Sequence, residues 1–126
     1  MSMGSPEAGP FGGVAARLSI FIRETDHYHH KPLYAEIVHQ AHKAGLAGAS
    51  VFRGILGFSA PDYPKSRHPL LGQDVPVVIE IVDREDRIRA FIPTLKELMD
   101  GGLAGLAILE PAEVIGLSGA EDGARS

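Results

Sequence analysis

Histidines are the residues in this sequence best suited to chemistry. Three of the six, His27, His29 and His30, fall within four positions, just ahead of a helical pattern. His39 and His42 follow on that pattern at i, i+3 spacing and share a helix face. His68 stands apart, in a long proline-bearing stretch. Neutral imidazole is a common ligand for zinc, copper or nickel, but a site needs several ligands converging. No recognised metal spacing is present and the chain has no cysteine. Solvated surface histidines are the plainer reading; if a metal is held, His27, His29 and His30 are its first candidates. Arg53 and Gly54 form a second group, a charge and a bare backbone at the end of an apolar strand. Glycine there marks a bulge or the close approach of a ligand or another backbone. Arg53 either meets an anionic ligand or forms an intersubunit salt bridge, for example to Glu80 or to a loop carboxylate. A third group, Tyr63, Lys65, Arg67 and His68, gives the long stretch a locally positive middle suited to an acidic partner or an anion. No nucleophile elbow and no P-loop occurs, so the expectation is a binding protein and not an enzyme.

Composition narrows the classes. The 126 residues carry a formal net charge of −4 and are 44% hydrophobic. That is enough chain for one domain with a modest core. The slight negative charge gives no argument for nucleic acid or for an anionic membrane. No apolar run approaches the roughly 20 residues that span a bilayer. The start of the chain has neither a basic nor an apolar leader region. Absence of cysteine excludes a disulfide framework and fits a cytoplasmic location. The expected division is a polar N-terminal tail over 1–13, a domain over 14–116 and a polar C-terminal tail over 117–126.

The elements that must position these residues follow from periodicity. Val14 to Arg23 alternates, with Leu18, Ile20 and Ile22 on one face and Arg17, Ser19, Phe21 and Arg23 on the other, which predicts a half-buried strand. Glu24 to Lys31 reads as a loop. Pro32 then suits a first helical turn, and Leu33, Ile37, Val38, Ala41 and Ala44 predict a helix over 32–44 closed by Gly45. A strand is predicted from Gly48 to Leu56, and a central one from Val77 to Val82. Asp83 reads as the N-cap of a second helix. Its stripe is Ile88, Phe91, Ile92, Leu95, Leu98 and Met99, kinked at Pro93 and ended by Gly101-Gly102. The last strand begins near Leu106; Pro111 makes it an edge strand or breaks it. Between the second and third strands, 57–75 is far longer than a hairpin needs, and a connection of that length is a functional loop or a disordered one. The order βαββαβ predicts an α+β, ferredoxin-like fold: a four-stranded antiparallel sheet with two helices on one face. The uncovered face carries Phe21, Phe52, Val78 and Val82, too apolar to leave in water, so an oligomer is expected.

Several segments, in order, resemble one family. They are Pro32-Leu33-Tyr34, Gly45-Leu46-Ala47-Gly48-Ala49, Phe52-Arg53-Gly54-Ile55 with Gly57-Phe58, Asp74 to Asp83, and Phe91-Ile92-Pro93. Over roughly Val14 to Ile115 they resemble the PII-like proteins catalogued as domain of unknown function family 190. The resemblance implies kinship with nitrogen regulatory PII proteins. It implies a homotrimer, an adenine-nucleotide effector in clefts between subunits, and a long loop offered to a partner such as a membrane transporter or ion channel. Gly57-Phe58 resembles the root of the PII partner-binding loop, so Arg53, Gly54, Gly57 and Phe58 are candidate effector residues. Gly101-Gly102-Leu103-Ala104-Gly105 resembles the turn that approaches nucleotide phosphates, where backbone N–H groups can face an anion. PII proteins place lysine and arginine there; this chain has Leu103, then Glu110 and Glu113. That departure points to a less charged ligand than a triphosphate, or to none.

Overall fold

The computed structural model describes residues 10–11, 14–57, 70–71, 75–100 and 105–117. Its elements are β1 (Ala15–Arg23), β2 (His27–Tyr28), β3 (Lys31–Pro32), α1 (Leu33–Lys43), β4 (Gly48–Arg53), β5 (Leu56–Gly57), β6 (Leu70–Leu71), β7 (Pro76–Arg84), α2 (Glu85–Leu98) and β8 (Leu106–Ala112). The four long strands form one antiparallel sheet in the order β4-β7-β1-β8. With both helices lying against it, this is the ferredoxin-like α+β arrangement expected from the element order.

Period-2 alternation builds the core. Ala16, Leu18, Ile20 and Ile22 of β1 and Val77, Ile79 and Ile81 of β7 are buried together. The helices return Leu33, Ile37 and Ala41, and Ile88, Phe91, Leu95 and Leu98, at helical spacing. α1 packs on β4 and β7, and α2 on β7 and β1. β8 is therefore an edge strand, which is how Pro111 can sit inside it without breaking a ladder between two neighbours. α2 runs as one element through Pro93.

Several boundaries differ from expectation. Glu24–Lys31 is not simply a loop: β2 and β3 pair as a two-stranded ribbon turned at His29-His30. Pro32 stands at the N-cap of α1 and not in its first turn (φ −59°, ψ 131°), and the Leu33 amide is satisfied by the Asp26 carbonyl at 2.8 Å. At the other end Gly45 (φ 77°) closes α1 as expected. The Leu46 amide returns to the Ala41 carbonyl and the Gly45 amide to the His42 carbonyl, the paired bonds of a Schellman turn. The strand expected over 48–56 ends at Arg53 and resumes as β5, which pairs with β6. The ends of the long connection are thus a paired ribbon.

Asp83 is not the N-cap of α2. Arg84 holds that position, without a side-chain cap. Asp83 belongs to β7, is only 3% exposed, and serves the opposite purpose. Its carboxylate accepts the Ala47 amide (3.0 Å) and its own neighbour's amide at Arg84 (2.6 Å), with Arg87 Nε 3.5 Å away. Arg87 Nη2 in turn donates to the Gly45 carbonyl at 2.7 Å. Asp83 and Arg87 together pin the α1–β4 turn to the start of α2. The glycines expected to end α2, Gly101 and Gly102, lie outside the described residues; α2 ends at Leu98 with Met99 as C-cap.

Candidate functional site

Strand polarity brings Arg53, Gly54 and the His27–His30 segment to one end of the sheet. β1 and β4 finish there, at Arg23 and Arg53, and β7 and β8 begin there, at Pro76 and Leu106. The β1–α1 connection with its histidine ribbon, the root of the long connection, and both ends of the α2–β8 connection (Asp100 and Gly105) share that end.

At the root, Glu24 holds both ends of the long connection. Its amide donates to the Val75 carbonyl at 2.9 Å, and its carboxylate accepts from Arg53 Nε at 3.0 Å. The Glu24 hydrogen bond and charge push the Arg53 guanidinium pKa upward, keeping it cationic. Gly54 donates its amide to the Pro76 carbonyl at 2.8 Å. A Cβ on Gly54 would stand 3.1 Å from that same oxygen, so the glycine answers to a close backbone approach. Gly57 follows at the ribbon. The alternative pairing of Arg53 with Glu80 is not found. Arg53 sits opposite Val77, whose side faces the helices, whereas Glu80 points to the open face. Sequence reasoning allowed a loop carboxylate but did not single out Glu24, because an acid after a strand carries no spacing signal.

Among the described residues the histidines do not gather. His29 (φ 49°) and His30 (φ 70°) occupy the two left-handed positions of the ribbon's turn, which histidine tolerates better than most residues. The His29 ring stacks on Tyr28 with centroids 4.1 Å apart. His27 Nδ1 donates to the Thr25 carbonyl at 2.6 Å. Among the described residues no group of three or more His, Cys, Asp or Glu side chains could hold a metal. Of the other candidates, Phe58, Tyr63, Lys65, Arg67, His68, Gly101, Gly102 and Leu103 lie outside the described residues.

The open face of the sheet reads directly from the register. Directly paired residues share a face, so Leu106, Phe21, Val78 and Phe52 form one row across all four strands. Leu106 and Phe52 are 51% and 55% exposed at its two ends. The next row is Ile108, Ser19, Glu80 and Ser50, and the next Glu110, Arg17, Val82 and Gly48. Arg17 Nη2 bonds Glu110 Oε1 at 2.9 Å, and Glu110, then Glu80, raise its pKa. The face is therefore an apolar band beside a charged one. The four residues expected there, Phe21, Phe52, Val78 and Val82, do share it.

Known proteins resemble this chain at two levels. Residues 15–114 match the model of the DUF190 family, described as an uncharacterized ACR. A UPF0166 protein of Aquifex aeolicus (strain VF5) is 38% identical over 99 residues, covering 78% of this chain and 90% of that one. A UPF0166 protein of Methanocaldococcus jannaschii is 31% identical over 97 residues, covering 77% and 88%. Among solved structures, the nitrogen regulatory PII-like protein CPII of Thiomonas intermedia K12, bound to ADP, AMP and bicarbonate, superposes with a TM-score of 0.59 at 11% identity, covering 80% of this chain and 88% of that one. A putative PII-like signaling protein of Thermus thermophilus gives 0.57 at 14% identity, covering 81% and 90%. At such identities the likeness is one of fold. Among the described residues no helix is long and apolar enough to cross a membrane.

Proposed function

The chain belongs to the DUF190 family, and from that premise we propose that it is a PII-like regulatory protein and not an enzyme. In this reading it is a homotrimer that binds a small adenine-nucleotide effector in clefts between subunits. It presents the connection over 57–75 to a partner, such as a membrane transporter or ion channel. The observation that carries the reading is the convergence at one end of the sheet. There Glu24 holds both ends of the long connection, at the same end of the sheet as the start of β8 and the apolar row of the open face. A ligand in a cleft at that end reaches the loop root through few bonds. Support also comes from a PII-like protein of the same fold that is bound to ADP, AMP and bicarbonate.

The chain's own charges shape the expected ligand. From Gly105 to Leu117 there is no lysine or arginine, and Glu110 and Glu113 are acidic. Phosphate charge is repelled on that strand, so AMP and ADP are favoured over ATP. The test is thermal unfolding against AMP, ADP, ATP, cyclic nucleotides, bicarbonate and divalent metals with a chelator control. A ligand present at about 100 times its Kd stabilises the native state by ~2.7 kcal/mol, which a melt resolves. Stabilisation by AMP or ADP exceeding that by ATP is expected. A shift with metal alone, abolished by chelator, would replace this reading with the histidine one. A flat response to every nucleotide would remove the effector from it.

A further inference from the structure

The two lateral edges of the sheet are unlike, and they complement each other. At the β4 edge the chain turns through Gly54-Ile55 into β5, leaving Ile55 80% exposed and Leu56 58% exposed. These are two adjacent aliphatic side chains on a corner. At the β8 edge the opposite occurs. α2 lies over β7 and β1, and the residue of β8 paired with Ile20 is only Ala107. The gap left between α2 and β8 is a hollow of about 380 Å³. Ile20, Ile92, Leu95, Met99, Leu106 and Ala107 line it, with Lys96 as its one charged side chain among the described residues. So apolar a wall does not suit a nucleotide; it suits aliphatic groups.

Corner and hollow lie at the same end of the sheet, on opposite edges. The apolar row of the open face joins them. Its first member, Leu106, is also a wall of the hollow, and its last, Phe52, is three residues before Ile55. Two different patches on one chain make a heterologous contact, which repeats head to tail and closes into a ring when the rotation permits. We infer that the Ile55-Leu56 corner of one copy seats in the α2–β8 hollow of the next. Each subunit then supplies a knob on one edge and a socket on the other. The ring turns the open face inward and sets the loop root of one copy against the start of β8 in its neighbour. This rests on the oligomeric reading above and specifies which surfaces build the oligomer.

The absence of cysteine from the chain makes the test direct. The double variant Ile55→Cys/Ala107→Cys is oxidised with copper phenanthroline and run on a non-reducing gel. Sedimentation velocity is measured in parallel, on this protein and on the wild type. Covalent species up to the full ring are expected from the double variant. Each single variant should give only traces, and a mixture of the two singles should stop at the dimer. The exposed variant Ile55→Asp should lower the oligomer mass with an unchanged circular-dichroism spectrum. An intact oligomer whose double variant cross-links no more than the singles overturns the contact while leaving the oligomeric reading in place. A wild-type chain that sediments as a monomer at all concentrations removes that reading itself. Rapid alkylation of the Ala107→Cys thiol within the intact oligomer also overturns the contact, and leaves the hollow open to a small apolar ligand.

Discussion

Phe52→Glu should dissociate the assembly without unfolding the subunit. Phe52 lies on edge strand β4, at the end of the apolar row, and is 55% exposed in the isolated chain. A phenylalanine side chain offers roughly 200 Å², so about 110 Å² of its surface is left to be covered by another copy. At ~25 cal/mol per Å² that is ~2.7 kcal/mol per subunit, or ~8 kcal/mol over three. Every ~1.4 kcal/mol is tenfold, so the trimer dissociation constant rises by about six decades. That constant has units of concentration squared, so the midpoint for dissociation rises by about three decades. Burying the new carboxylate adds to the loss. Sedimentation velocity from about 0.1 to about 100 μM reads the mass, and far-ultraviolet circular dichroism checks the fold. Phe52→Ala should give the same direction with no added charge. A Phe52→Glu variant that keeps the wild-type mass at the lowest concentration would refute the assignment of this face to the interface.

The remaining predictions concern the frame around the site. Asp83→Ala removes the acceptor for two amides and the partner of Arg87. Because Asp83 is buried while water can still reach Arg87, the expected loss is about 3 kcal/mol, read as a lower midpoint in urea unfolding; a change under about 0.5 kcal/mol would mean the α1–β4 turn does not depend on it. Gly105→Ala should destabilise, since its Cβ would meet Met99 Cε at 2.9 Å and the Phe21 carbonyl at 3.0 Å, whereas Gly48→Ala, with nothing within 4 Å, should be tolerated. The Gln40 amide, bonded to Glu36 at 2.8 Å, holds the Glu36 carboxyl below the ordinary carboxylate value. Such a depressed group stabilises the fold above its unfolded pKa, and that stability is lost as the pH falls through its folded one. Glu36→Gln should therefore flatten the acid limb of the stability profile; a limb of unchanged steepness would assign it elsewhere. Replacing 58–69 with Asn-Gly joins the paired strands β5 and β6 by a two-residue turn. It should leave the oligomer's mass unaltered and abolish partner capture, and loss of assembly would show that the segment is structural.

Much of the fold was legible because it rests on periodicity. The alternation Leu18, Ile20, Ile22 and the stripe Ile88, Phe91, Leu95, Leu98 each have one solution, and each is buried as its pattern requires. Gly45 was legible for the same reason, since a left-handed closing residue favours glycine. What escaped was set by neighbours remote in sequence. Asp83 looks like an N-cap locally; only the arrival of Ala47, 36 residues away, makes it a buried acceptor. The His29-His30 turn escaped because it is built on histidines, where turn chemistry favours asparagine and glycine. Arg53 was singled out as unusual with Glu80 or a loop carboxylate of another subunit as its partner: strand register puts Glu80 on the opposite face and leaves the loop carboxylate of Glu24, in the same chain, within reach.

In the proposed trimer, the register would place recognition and assembly at one end of the sheet. β1 and β7 send their even-numbered and odd-numbered side chains, respectively, into the core, and the remaining positions must all face outward together. The outward set is not uniform. Its apolar row lies toward the end where the long connection emerges, and its Arg17–Glu110 pair lies toward the other. An interface that covers the apolar row therefore falls beside the loop root. A ligand lodged between subunits at that end would lie at the same end of the sheet as Glu24, whose two bonds hold the loop's ends. Exposed ion pairs such as Glu24–Arg53 add little to stability. A coupling of only about 1 kcal/mol nonetheless changes a loop equilibrium about fivefold. A weak clasp at a subunit boundary is thus the form in which a small effector could set the conformation of a long loop.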